Sequence, residues 1–250
     1  MDSVISTYGE HVDSLKSGEP IFARIDDVIG IPIADSPSWE AFVRTWHDLP
    51  QDMYMNDGGT YRQRRFSRFH LNINTRELRL KRHAPYSQPA YLNPLNGNML
   101  RHFEPCAQAT IDMPVFRDTL IGVGVLLGLV DDCPDWDINV YQNRTLASDE
   151  FIGKPVPEGI HRDGVRYSVL LGIHRLNVEG AVSTVFNDDK IPVITETVTE
   201  GDVLIFRDET SYHDTTPVHL SGPGHTGGSR DVMVIEYYHS SGNNNQYYVP

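Results

Sequence analysis

Between Ser36 and Trp46 the apolar side chains Trp39, Phe42, Val43 and Trp46 recur at i, i+3, i+4 and i+7, the signature of an amphipathic helix. Ser36 followed by Pro37 supplies an N-cap and a proline at the first helical position. A second helix is predicted from Asp112 and Pro114 to about Val130. Its three glycines, Gly122, Gly124 and Gly128, each weaken it by about 1 kcal/mol relative to alanine, so their presence predicts close packing against a sheet. From Trp136 onward the texture changes to short β-branched and aromatic runs separated by Gly, Asn and Asp, which predicts strands at 136–145, 166–176, 181–186, 191–198, 202–207 and 230–238. Strands with no intervening helices predict an antiparallel sandwich or barrel rather than a parallel sheet. On this reading residues 1–250 form one domain. Residues 1–135 are helices and loops that cover a sheet, 136–238 are the core strands, and 239–250 are a polar tail. The glycine-rich stretch from His219 to Ser229 reads as an irregular loop of the kind that borders a site.

Composition narrows the class. Hydrophobic residues make up 39% of the 250, enough for a real core, which excludes a disordered chain. Asp and Glu number 34 against 21 Lys and Arg, a net charge of -13 that repels phosphate backbones and anionic lipid, so nucleic acid is not an expected partner. The most apolar run, Leu120 to Val130, falls short of the roughly 20 residues a membrane-spanning helix needs. The N-terminus has no basic segment followed by an apolar one, so the cytoplasm is the expected compartment, with Cys106 and Cys133 as two reduced thiols. Asp131-Asp132-Cys133-Pro134-Asp135 reads as a solvated turn.

The chemistry concentrates in Glu158-Gly159-Ile160-His161-Arg162-Asp163-Gly164. Two residues apart on an extended chain, His161 and Asp163 lie on one side of it and can ligate one metal ion. The best third ligand is His213, which follows the apolar run Val203-Leu204-Ile205-Phe206, with His219 and His225 as the alternatives. Two histidines and one carboxylate on one face of an octahedron leave three positions open, the arrangement of non-haem Fe(II) oxygenases. A dicarboxylate co-substrate chelating such an iron needs a buried cation for its far carboxylate. Arg230, opening the strand from Asp231 to Tyr237, is well placed to offer a planar fork.

These elements in this order resemble the bacterial Fe(II)/2-oxoglutarate dioxygenases of the isoleucine 4-hydroxylase type. The resemblance rests on Pro157-Glu158-Gly159-Ile160-His161-Arg162-Asp163-Gly164, Ser183-Thr184-Val185, the run from Gly201 to Asp208 leading to His213, and Ser229-Arg230-Asp231-Val232. Upstream it extends through Tyr61-Arg62-Gln63-Arg64-Arg65-Phe66 and Arg101-His102-Phe103-Glu104-Pro105, touching most of residues 57–238. It implies a mainly β fold with flanking helices, a distorted double-stranded β-helix or jelly roll. It implies Fe(II) held by His161, Asp163 and His213, 2-oxoglutarate held by Arg230, and O2 as oxidant. The reaction implied is hydroxylation of a small free L-amino acid, usually an aliphatic one, with succinate and CO2 as co-products.

Two departures bear on the substrate: Tyr141-Gln142-Asn143-Arg144 where the family pattern has His-Gln-x-Arg, and Gly180-Ala181-Val182 where it has paired glycines. A free amino acid needs a cation for its α-carboxylate, and the cluster Arg62, Arg64, Arg65 and Arg68 offers one although most of it reads as a solvated face. Tyr61, Arg64, Arg65 and Tyr141 are therefore the candidate substrate contacts; His174 is assigned no role. The rival reading is a jelly-roll module that keeps the metal triad for sensing or binding without turnover. A zinc hydrolase is disfavoured because it leaves Arg230 unexplained and offers no general base.

Overall fold

The first half of the chain supplies helices α1 (Asp2–Ser17), α2 (Ile25–Ile29), α3 (Pro37–Arg44), α4 (Gln108–Ile111) and α5 (Pro114–Asp131), and strands β1 (Ile21–Arg24), β2 (Arg62–Asn72) and β3 (Glu77–Leu80). The second half supplies β4 (Asp135–Ser148), β5 (Tyr167–Leu176), β6 (Val178–Gly180), β7 (Val182–Phe186), β8 (Pro192–Thr197) and β9 (Asp202–Arg207). A 3-10 turn at Asp208–Thr210 then leads to β10 (Tyr212–Thr215), β11 (Val218–Leu220) and β12 (Gly227–His239). The computed structural model describes residues 2–34, 36–92 and 97–240, with side chains from residue 8 onward. The polar tail expected from residue 239 lies, after Ser240, outside the described residues.

Seven strands form one sheet in the order β1-β9-β5-β12-β4-β2-β3, and a smaller sheet runs β10-β7-β8, every pair antiparallel. The result is the expected mainly β jelly roll. Side chains alternate between the two faces of each strand. On one face Ile138, Val140, Val169, Leu171, Met233, Ile235 and Tyr237 pack against Leu120, Val123 and Leu127 of α5 in the main core. On the other face Tyr141, Asn143, Leu170, Arg230, Val232 and Glu236 line a cavity whose far wall is β7 and β10 of the smaller sheet.

The glycines of α5 act as close contacts. A methyl group at Gly124 would sit 2.3 Å from Leu71 Cδ2 of β2, and one at Gly122 would sit 2.6 Å from Ile29 Cβ of α2. The missing side chains let the helix lie directly on the sheet and on α2. The backbone carbonyl of Gly124 also accepts a 3.0 Å hydrogen bond from Trp136 Nε1, tying helix to strand.

Three expectations change. The first half is not only helix and loop: β2 sits inside the main sheet between β4 and β3. Its inward positions include Arg62 and Arg64, both buried, so the strand carries charge where an apolar alternation would have revealed it. Strand β12 begins at Gly227, inside the stretch read as irregular, because Gly227, Gly228 and Ser229 pair with Ser148, Ala147 and Leu146. Asp131 is not solvated either. It accepts hydrogen bonds from Arg166 Nε at 2.5 Å and Tyr167 OH at 2.8 Å and ion-pairs with Arg207 at 3.1 Å. Burial would raise its carboxyl, but these donors pull it down to about 2. Cys106 and Cys133 are both free thiols, and among the described residues no helix is long and apolar enough to cross a membrane.

Candidate metal centre

The two imidazoles are brought together by backbone pairing. His161 N–H donates to His213 O at 3.1 Å and His213 N–H donates to His161 O at 2.9 Å, an isolated antiparallel bridge between the loop after β4 and strand β10. The rings stand 4.3 Å apart, centre to centre. Asp163 sits between them, with Oδ1 3.4 Å from His161 Nε2 and Oδ2 3.4 Å from His213 Nε2. One ligand atom from each residue lies within 4.8 Å of both others. Metal bonds of about 2.1 Å at right angles separate neighbouring ligand atoms by about 3 Å, so this spacing suits a single ion. His219 and His225, the alternatives to His213, are exposed and stand outside this group.

The surroundings fix the ligands. His161 Nδ1 donates to Gly159 O at 2.9 Å, which leaves Nε2 as the free lone pair. Ser168 Oγ donates to Asp163 Oδ2 at 3.0 Å. Asp208, fully buried, accepts from the backbone N–H groups of Asp163 (3.0 Å), Gly164 (2.8 Å) and Val165 (3.1 Å). The same carboxylate lies 3.6 Å from His213 Nδ1, a ring nitrogen with no hydrogen-bond partner. Asp208 thus holds the Asp163-bearing segment and stands behind the His213 ring. It was not foreseen from the sequence, because its role depends on where two distant loops meet.

The electrostatics are those of a site prepared for a cation. Burial would lower His161, but the hydrogen bond and charge of Asp163 outweigh it and raise the imidazole to about 9. Burial, reinforced by the charge on His161, pushes His213 down to about 3. Burial opposes ionisation of Asp163, yet the neighbouring imidazoles and Ser168 hold its carboxyl well below the ordinary carboxylate range. Asp208 is raised to about 7 by burial and then by Asp163. A metal ion would replace the proton that His161 and Asp163 otherwise share, since ligands bind in their deprotonated forms.

The triad opens on a cavity of about 140 Å³. Arg230, 3% exposed, points into it, and its Nε and Nη2 meet no acceptor. Burial, then the neighbouring Arg175, lowers its guanidinium to about 9. An unpaired buried guanidinium is costly, so these orphaned atoms fit an absent anion. Glu236 lies on the same floor and accepts from Asn139 Nδ2 at 2.8 Å and Tyr141 OH at 3.2 Å. Burial and then the charge of Asp163 raise it well above the carboxylate range.

Of the candidate substrate contacts, Arg64 and Tyr141 line the cavity. Tyr61 and Arg65 are not among its lining residues: Tyr61 donates from its hydroxyl to Asp57, and Arg65 pairs with Glu104 at 2.9 Å on the opposite side of β2. Arg62, a member of the arginine cluster expected to offer a cation, lines it as well, as do Arg101, Gln88 and Glu158, which were given no role. The departure at Tyr141 falls on the cavity floor, whereas Arg144 of the same run faces the other way. The departure at Ala181 places a non-glycine residue at φ 53°, a left-handed backbone that favours glycine.

Comparison with known proteins agrees with this geometry. The model of a protein family described as 2OG-Fe dioxygenase matches residues 43–236. No curated protein matches the chain. Among solved structures, a bsmA homolog from Methylobium petroleophilum PM1 is similar with a TM-score of 0.84 and 26% identity over 93% of each chain. IDO from Bacillus thuringiensis superposes with a TM-score of 0.75 at 15% identity, covering 94% of this chain and 96% of its own. The Fe(II)/(alpha)ketoglutarate-dependent dioxygenase TqaL gives a TM-score of 0.71 at 17% identity, over 97% of this chain and 92% of its own.

Proposed function

The chain belongs to the 2OG-Fe dioxygenase family, and from that premise we propose that it hydroxylates a small free L-amino acid, an aliphatic one, releasing succinate and CO2. It is an oxidoreductase whose cofactors are Fe(II), 2-oxoglutarate and O2. In this reading His161 and His213 each offer Nε2 and Asp163 a carboxylate oxygen to Fe(II), and Arg230 receives the far carboxylate of 2-oxoglutarate as a bidentate fork. Bound together, iron and 2-oxoglutarate would activate O2, the oxidant, for attack on an unactivated C–H bond. The chain's own residues do the rest. Asp208 and Ser168 keep the Asp163 segment in place. The aromatic floor of Tyr86 and Tyr141, backed by Phe66, keeps water from the substrate and limits its size. Burial and the charge of Asp163 raise the Glu236 carboxyl, which favours its neutral form beside the triad.

The observation that carries the reading is the shared cavity, with a two-histidine, one-aspartate cluster and a buried arginine lacking acceptors on two nitrogens. A sensing or binding module needs the cluster but gives Arg230 no task. The test is succinate formation from 2-oxoglutarate with Fe(II) in air, measured with each proteinogenic L-amino acid and paired with mass spectrometry of the amino acid. One or a few should stimulate succinate release and gain oxygen. Absence of stimulation across the whole set would overturn the amino-acid reading.

A further inference from the structure

Strands β2, β4 and β12 lie side by side, and their register sets two rungs across the cavity floor. Arg62, Thr145 and Arg230 form one, and Arg64, Asn143 and Val232 the next. Arg230 and the β2 arginines are therefore two strand spacings apart, about 10 Å. Arg62 is turned to Asp52, whereas Arg230 has Arg175 as its cationic neighbour and meets no acceptor at Nε and Nη2, so the cavity holds two separate cationic seats.

The second seat holds more positive charge than the protein neutralises. Arg62, Arg64 and Arg101 are 5%, 8% and 3% exposed, and the carboxylate among them is Asp52, 3% exposed. Asp52 is shared by both β2 arginines and accepts a hydrogen bond from Arg62 Nε at 2.8 Å. Arg64 Nε lies 3.0 Å from the same oxygen but is misaligned for a hydrogen bond, and Arg101 Nε has no acceptor. Among the described residues Arg101 forms no ion pair. It stacks 4.6 Å over the Tyr86 ring and donates from Nη2 to Gln88 Oε1 at 3.0 Å. Gln88 Nε2 in turn donates to Asp163 O at 3.4 Å, so the arginine pair stands one side chain away from the metal-binding loop. Burial, and then the charge of Arg62, lowers the Arg64 guanidinium to about 10. Buried guanidiniums persist where an anion completes them.

We infer that Arg64 and Arg101 are the seat for the carboxylate of the organic substrate, so that the enzyme takes free carboxylic acids of amino-acid size and rejects residues inside a peptide. Asn143, whose buried Oδ1 has no partner and which stands on the Arg64 rung, and Glu158 on the cavity wall are placed to face the substrate's amino group. This inference rests on the reading given under Proposed function, in which Arg230 is occupied by 2-oxoglutarate and the organic substrate needs a cation of its own.

The experiment uses the intact protein loaded anaerobically with Fe(II) and 2-oxoglutarate. The visible charge-transfer band of that complex is followed while each of the twenty proteinogenic L-amino acids, its C-terminal amide and its N-acetyl amide are titrated in turn. A free amino acid should perturb the band, and its amides should need about thirtyfold or more higher concentration. Arg64→Gln and Arg101→Gln should weaken the free acid by a similar factor while leaving 2-oxoglutarate affinity within about threefold. Arg64→Lys and Arg101→Lys, which keep the charge and the fold, should recover part of the loss. Equal response to acid and amide, or no response to any free acid when the band itself forms, would overturn the inference. Failure of the band to form at all would overturn the assignment of iron and 2-oxoglutarate to this cavity, and the inference with it.

Discussion

Arg144 and Arg230 occupy neighbouring strands of one sheet, offset by a single register position, with Asp231 opposite Arg144 and Thr145 opposite Arg230. Arg144 faces away from the cavity and donates from Nε and Nη2 to the two oxygens of Asp231, each at 2.7 Å. Arg230 faces the cavity and finds no acceptor for the corresponding atoms. One residue type on one sheet thus has opposite fates on the two faces. On the helix-packed side the fold completes the charge of Arg144, and on the cavity side it leaves that of Arg230 to be completed from outside. A buried arginine therefore marks a ligand seat only when its partners have been counted.

The largest expected effect comes from the cavity side. His213→Ala should abolish iron retention and turnover, while the circular dichroism spectrum and melting transition stay those of the parent. Full turnover by the variant would break the distinction. Next come the two arginines. Arg144→Met strands the Asp231 carboxylate, 1% exposed, at a cost of about 3–5 kcal/mol in unfolding free energy. Burial already raises the Asp231 carboxyl in spite of Arg144, so the double variant Arg144→Met/Asp231→Leu should regain most of the loss. Arg230→Met should do the reverse, holding or improving stability while raising the KM for 2-oxoglutarate by about 30- to 100-fold. Steady-state kinetics and chemical denaturation on the same samples decide between these outcomes.

Asp208→Asn tests the brace behind the triad. It should weaken metal affinity by about 10- to 100-fold, read by competition with a chelator. A loss of melting temperature with unchanged metal affinity would assign Asp208 to the fold instead. The smallest effect is expected from Asp131, a carboxylate paired on the helix side. Its folded value of about 2 lies below the unfolded value near 3.8. Its stabilisation is therefore present above the unfolded value and is lost as pH falls through about 2. Asp131→Asn should cost about 1 kcal/mol near neutrality, allowing for solvent screening, and the difference from the parent should vanish in acid.

The helix-packed face was legible in the chain because apolar periodicity follows directly from burial. Trp39 and Phe42 are buried on α3 as the spacing requires, and α5 has its close contacts where Gly122, Gly124 and Gly128 stand. The cavity face was legible only where residue types are chemically conspicuous: His161, Asp163 and His213 stand together and Arg230 lies buried in the same cavity, as their types and order led one to expect. Strand β2 was hidden, because Arg62 and Arg64 occupy inward positions where hydrophobic side chains usually signal a strand. Arg101, Gln88 and Asp208 were hidden for a different reason: each acquires meaning only from a neighbour far away in the chain. A carboxylate between buried strands, such as Glu236 in the apolar run from Val232 to Tyr238, was the one signal that could have exposed the cavity floor.

The reciprocal hydrogen bonds between the main chains of His161 and His213 carry a consequence for how this molecule can vary. Because those two peptides fasten directly to each other, the spacing of the imidazoles is set at that bridge. The turn at Asn187–Lys190 belongs to the same neighbourhood, because Asp188 pairs with Arg162 and Lys190 Nζ lies 5.0 Å over the Tyr212 ring, so added residues there would disturb the chain beside both histidines. Lengthening the segment Ser211–Tyr212 just ahead of the bridge by a single residue would turn His213 away from its mate. Variation in length is thus forbidden beside this rivet.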